Sequence, residues 1–156
     1  QMFTHGTITG LLFVLVGLVY EKAHTRYIPD LGGLATKMPF VTVTFVVAGA
    51  ASLGLPATSG FVSEMMIFLG AFPAYGLMTT LGVIGILITA GYILWTIQRT
   101  LFGHPLKVHD HITDANIIEA VAPALLVVSI LLIGIYPAFL TDVFAPSINE
   151  IILRLD

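Results

Sequence analysis

Leu53-Gly54-Leu55-Pro56-Ala57-Thr58-Ser59-Gly60 sits in the middle of an apolar stretch that runs from Pro39 to Phe72 and carries one charge, Glu64. As a straight helix that stretch would be about 50 Å long at about 1.5 Å per residue. The hydrocarbon core of a membrane is only about 30 Å thick. The stretch is therefore a strongly tilted helix, two spans, or one broken span. Pro56 removes a backbone donor and clashes with the preceding turn, and Gly54 and Gly60 weaken helix on either side. Neither half makes a comfortable span with its own turn. The expectation is one discontinuous helix, Pro39–Leu55 then Phe61–Phe72, with its break at about Gly54–Gly60.

The rest of the chain supports a lipid setting. Of its 156 residues, 57% are hydrophobic and 10% charged, and the mean hydropathy is +1.00. A soluble domain carries about 25% charged residues. A net charge of -3 without a basic face argues against nucleic-acid binding. The absence of cysteine excludes disulfides, Cys-ligated zinc and iron–sulfur clusters in this sequence. No Gly-rich phosphate loop, Ser–His–Asp set or dinucleotide fingerprint is present.

Three further apolar stretches flank the broken one: about 2–20, 75–101 and 120–140. The short Pro73-Ala74 turn separates the broken span from the third, and Pro123 sits near the start of the fourth, where proline is tolerated. The fold class is thus an all-α polytopic membrane protein, a single membrane domain with four transmembrane helices, one discontinuous. In the tail 141–156, Ile148, Ile151, Ile152 and Leu155 recur at helical spacing opposite Asn149, Glu150 and Arg154. It reads either as an interfacial helix or as a frayed terminus. Four spans put the loops 21–38 and 103–119 on one side, with Lys22, Arg26, Lys37, Arg99 and Lys107, and leave only Arg154 on the other. By the positive-inside rule the first side is cytoplasmic or its organellar equivalent. The opening Gln1-Met2-Phe3-Thr4-His5, without initiator Met, basic leader or cleavage site, suggests a piece of a longer protein rather than a signal peptide.

Glu64 is the residue that demands explanation. A carboxylate at mid-membrane depth costs roughly 2.5–3.5 kcal/mol on insertion scales. Its helical neighbours Gly60, Phe61, Ile67 and Phe68 offer no countercharge. Burial favours the protonated form and a nearby cation the ionised one, so a group balanced between them can load and release a proton. The alternative is a permanently protonated side chain bonded to a carbonyl. Unwound backbone beside Glu64 would frame an ion or proton site, because irregular backbone at membrane depth is tolerated only inside protein or beside water. Thr58, Ser59 and Ser63 are candidates to hold such water, or else bond back to their own helix. His5, beside Thr4, Thr7 and Thr9, is a second candidate for proton transfer. His24, Lys22 and Arg26 read as solvated or headgroup-facing. His104, His109 and His111 with Asp110 and Asp114 match no metal-site spacing and read as a polar loop, so no metal or cofactor site is assigned.

An ordered series of motifs then stands out: Gln1-Met2-Phe3-Thr4-His5-Gly6, Tyr20-Glu21-Lys22-Ala23-His24-Thr25-Arg26, Gly32-Gly33-Leu34 with Lys37-Met38-Pro39, and Leu55-Pro56-Ala57-Thr58-Ser59-Gly60-Phe61-Val62-Ser63-Glu64. This series resembles the antiporter-like, proton-translocating M-type subunit (chain 4) of respiratory complex I, the NADH:quinone oxidoreductase. The likeness covers most of residues 1–102 and the span pattern beyond. It implies a subunit of fourteen helices, of which this is the last third, with the broken helix as the twelfth. Glu64 would match the family's terminal proton-carrying glutamate and His5 the histidine opening the eleventh helix. The family's proton-carrying lysines, on its seventh and eighth helices, would lie before residue 1. NADH, FMN, iron–sulfur clusters and quinone would belong to partner subunits, alongside neighbouring antiporter-like subunits and lipid. The setting would be a bacterial plasma membrane or an organellar energy-transducing membrane. Ala57 departs from the family, which often has glycine there. Rival readings are a subunit of a multi-subunit sodium/proton antiporter or membrane-bound hydrogenase, and a structural scaffold without a proton path.

Overall fold

The computed structural model describes residues 1–155. Among these the fold is all-helical: α1 (Met2–Ala23), α2 (Pro39–Ser52), α3 (Ser59–Leu101), α4 (Ile117–Ile135) and α5 (Ala138–Leu155), with short 3-10 turns in the connections. Three of these, α1, α3 and α4, are long and apolar enough to cross a membrane, and α2 is a shorter apolar helix.

α3 cannot be one straight rod. Gly60 at its start lies against Ala51, while Ile93 and Ile97 near its end lie against Gly49 on the same helix α2. A straight helix would hold residues 60 and 97 about 55 Å apart. The reversal comes at Tyr75, whose backbone leaves helical values (φ -135°, ψ 45°). Phe68 and Gly82 then face each other across the two arms, 59–74 and 76–101. The turn expected at Pro73-Ala74 is thus displaced to Tyr75. Proline's fixed φ is itself helical, so losing its N–H weakens that turn without ending it there.

α4 starts at Ile117 and ends at Ile135, not at 120 and 140. Its start is set by a capping box: the Asn116 side chain accepts from the Glu119 N–H, and the Glu119 carboxylate accepts from the Asn116 N–H. Pro123 is consequently buried in the helix interior rather than in its first turn. Pro137, which cannot donate to a continuing helix, forces the stop. α5 then runs along an almost wholly exposed course with a slight contact to α4.

The core lies where α1, α2, the second arm of α3 and α4 meet, around Leu11, Leu15, Met38, Val41, Leu101 and Ile130. Outside it the surface is dominated by exposed Phe, Leu, Ile and Val, for example Phe13, Leu77, Leu87 and Leu125. Soluble monomers rarely carry contiguous apolar surface on that scale.

Candidate functional site

The break in the apolar stretch spans residues 53–58, and both of its edges are chemically closed. α2 ends in a Schellman motif. Gly54 takes a left-handed conformation (φ 68°), its N–H donates to the Ala51 carbonyl at 3.2 Å, and the Leu55 N–H donates to the Ala50 carbonyl at 3.0 Å. α3 opens with Thr58 as N-cap, whose Oγ1 accepts from the Phe61 N–H at 3.5 Å and donates to the Leu55 carbonyl at 2.7 Å. Between them Ala57 also sits at positive φ (73°), where a Cβ is strained. The chain therefore unwinds here by design of its caps, and no helix passes through.

Gly54 and Pro56 fall in the unwound segment. Gly60 does not, because capping by Thr58 restarts the helix at Ser59. Gly60 serves close approach instead: a Cβ there would fall within 2.0 Å of the Ala51 carbonyl oxygen. Gly134 on α4 backs onto the same segment, where a Cβ would meet Ala57 and Thr58 backbone at 2.3–2.5 Å. The break is thus gripped by α1, α2 and α4.

Glu64 lies one turn beyond the restart. Its carboxyl folds back over the break, so that a Cβ on Gly54 would come 2.6 Å from Oε2. The side chain is half-buried and has no hydrogen-bond or ion-pair partner among the described residues. It sits between two opposed helix ends.

The other expected residues divide. Ser63 donates to the Gly60 carbonyl at 3.0 Å and also bonds the Gln1 side chain, tying the start of α1 to α3. Ser59 is 1% exposed and its hydroxyl has no partner. His5 is exposed on α1; its Nδ1 lies 3.3 Å from the Thr9 hydroxyl, and it makes no hydrogen bond to Glu64.

The polar loop residues are occupied elsewhere. His109 Nε2 is 2.7 Å from the Asp30 carbonyl, Asp110 pairs with Lys37 at 3.1 Å, and Asp114 accepts from the Phe40 and Val41 N–H groups at 2.6 and 3.3 Å. Asp114 thus caps the first turn of α2 from a different loop, where the N-cap residue itself, Met38, offers no side-chain acceptor. Lys22 pairs with Glu119 at 2.9 Å, joining the ends of α1 and α4. Neither was foreseen from the sequence; the one local signal was the Asn116-x-x-Glu119 spacing.

Residues 1–89 match the NADH:quinone oxidoreductase/Mrp antiporter transmembrane family. The chain belongs to that family. Among its relatives, NADH-quinone oxidoreductase subunit M of Rhodobacter capsulatus is 38% identical over 153 residues, covering 97% of this chain and 30% of that protein. F(420)H(2) dehydrogenase subunit M of Methanosarcina mazei is 34% identical over 152 residues, covering 97% of this chain and 31% of that protein. Among solved structures, respiratory complex I from Thermus thermophilus with bound NADH contains a chain that superposes with a TM-score of 0.81 at 30% identity, over 87% of this chain and 28% of that one. This antiporter-family chain therefore spans about a third of the length of the relatives it matches. The family and its apolar helices make it an integral membrane protein.

Proposed function

We propose that this chain is the C-terminal part of a proton-translocating membrane subunit of an NADH:quinone oxidoreductase, and that Glu64 carries the proton. The observation behind this reading is the Glu64 carboxyl folded over a doubly capped helix break, with no ion-pair partner among the described residues. Such a group changes charge with its surroundings. A cation arriving from upstream sequence would draw out the proton, and its withdrawal would return it. Ser59, buried without a partner, and Thr58 and Ser63 beside it, offer hydroxyls at which water can stand. His5 passes protons on the α1 side.

The same reading makes α2 with the first arm of α3 one discontinuous span and the second arm another, four spans in a single membrane domain. The loops 21–38 and 103–119 then lie on the cytoplasmic or equivalent side, which the Lys and Arg asymmetry supports, and α5 lies along the opposite interface. Redox chemistry at NADH, FMN, iron–sulfur clusters and quinone takes place in partner subunits. They include neighbouring antiporter-like subunits, and quinone reduction drives Glu64 from a distance.

The test is Glu64→Gln in the intact complex, with proton pumping measured beside oxidation of the electron donor. Pumping is expected to fall on the order of a hundredfold, the lower end for loss of a positioned acid–base group. Undiminished pumping overturns the assignment. A second reading, a subunit of a multi-subunit sodium/proton antiporter, has one observation in its favour: the family embraces Mrp antiporters as well. Flavin and iron–sulfur chains co-purifying with this one support the oxidoreductase; a complex devoid of redox subunits supports the antiporter.

A further inference from the structure

Of the basic side chains that the structure describes, Lys22, Lys37 and Arg154 each hold a carboxylate. Arg26 and Arg99 hold none. Each guanidinium instead lies over an aromatic ring, Arg26 at 4.2 Å from the centre of Tyr20 and Arg99 at 4.5 Å from that of Trp95. Stacking fixes the plane of the group and leaves its N–H edge free for a bidentate oxyanion acceptor. Glu21 and Asp30, the nearest acids in sequence to Arg26, make no ion pair with either arginine.

The two arginines flank a hollow made of two adjoining cavities with shared walls. A cavity of about 470 Å³ is lined by Ile28, Pro29, Trp95, Gln98, Arg99 and Phe102. A second, of about 180 Å³, shares Ile28 and Leu31 with it and adds Arg26 together with Val16, Val19, Phe45 and Leu101. The first is mixed in polarity, with an amide and a guanidinium at its wall. The second is almost wholly apolar and runs down between α1, α2 and the second arm of α3. Both open where these helices emerge into the loop layer, at the end that carries the excess of Lys and Arg.

We infer that this hollow is a binding site for one anionic phospholipid, its phosphate held between Arg26 and Arg99 with Gln98 beside it, and an acyl chain entering the apolar cavity. The charge and polarity gradient match that ligand: two uncompensated cations at headgroup level above an aliphatic slot. Basic pockets between membrane helices recognise anionic headgroups in this way. The inference is independent of any proton role for Glu64, since it is read out as binding.

The test uses the intact complex and two photoactivatable lipids with a diazirine on the acyl chain, a phosphatidylglycerol and a phosphatidylcholine. Phosphatidylglycerol is expected to label peptides containing Val16, Leu31 or Leu101, and excess unlabelled phosphatidylglycerol, but not phosphatidylcholine, is expected to compete. The R26Q/R99Q pair should cut that labelling about thirtyfold at about 1 kcal/mol per cation, and R26K/R99K should restore much of it. Equal labelling by both lipids, no labelling because another protein chain fills the hollow, or full labelling of R26Q/R99Q would each overturn the site. If R26Q/R99Q fails to assemble, the headgroup selectivity and competition in the unmodified complex decide alone.

Discussion

The two ends of this helix bundle use carboxylates in opposite ways. At the loop end three acids are held by partners. Glu119 is bound by Lys22 and its own capping box, Asp110 by Lys37, and Asp114 by two backbone N–H groups of α2. At the break, Glu64 rests on Gly54 with no donor and no cation among the described residues. A paired charge fixes geometry and resists change, because breaking the pair leaves its partner stranded. An unpaired one is free to change its protonation state when its surroundings do. On the proposed function, the loop end is a clamp and the break the working part.

The sharpest way to break this comparison is to remove the charge without removing the shape. Glu64→Gln should abolish most pumping while leaving assembly of the complex, measured by its recovery in the membrane, unchanged. Gly54→Ala comes next in size. It forces a side chain into left-handed backbone, at about 1–2 kcal/mol, and thrusts a methyl at the Glu64 carboxyl. Pumping per assembled complex should fall several-fold, to a level between that of Glu64→Gln and the unmodified protein. Pumping equal to the unmodified protein would show that the seat of Glu64 on the break is incidental.

Asp114→Ala tests the clamp. Losing an N-cap costs about 1–2 kcal/mol, so thermal stability of the complex should drop, with pumping per surviving complex preserved. If pumping and stability fell together, the division between clamp and working part would not hold.

These residues also show what could be read in advance. The apolar stretches were legible because lipid imposes a length, and the break because Gly54 and Pro56 punctuate one of them. The three helices able to span and the family membership agree with that reading. The helix ends were less legible. α4 begins in polar residues, Asn116 to Glu119, which hydropathy assigns to a loop although their capping chemistry starts the helix. Gly60 looked like a breaker, yet it serves contact with Ala51, a fact that belongs to packing and not to local propensity. Asp114 capping α2 across 74 residues, and Glu64 reaching back to Gly54, are tertiary relations with no local signature.

Ala57→Gly is the smallest and most diagnostic change. Ala57 holds φ 73° at the exposed crest of the break, and its strain is one that glycine does not have. Against that relief stands the greater freedom glycine gives the unfolded chain, which is worth about 0.4–1 kcal/mol. Left-handed backbone costs alanine about 1–2 kcal/mol, so the balance favours glycine by about 0.5–1 kcal/mol. The thermal midpoint of the complex should therefore rise slightly. A break that is only a joint should gain in stability and pump as before. A break whose stiffness holds the Glu64 carboxyl in place should gain the same stability yet pump less tightly per donor oxidised. Measuring both on one preparation separates the alternatives, since the substitution removes neither the carboxyl nor a capping side chain.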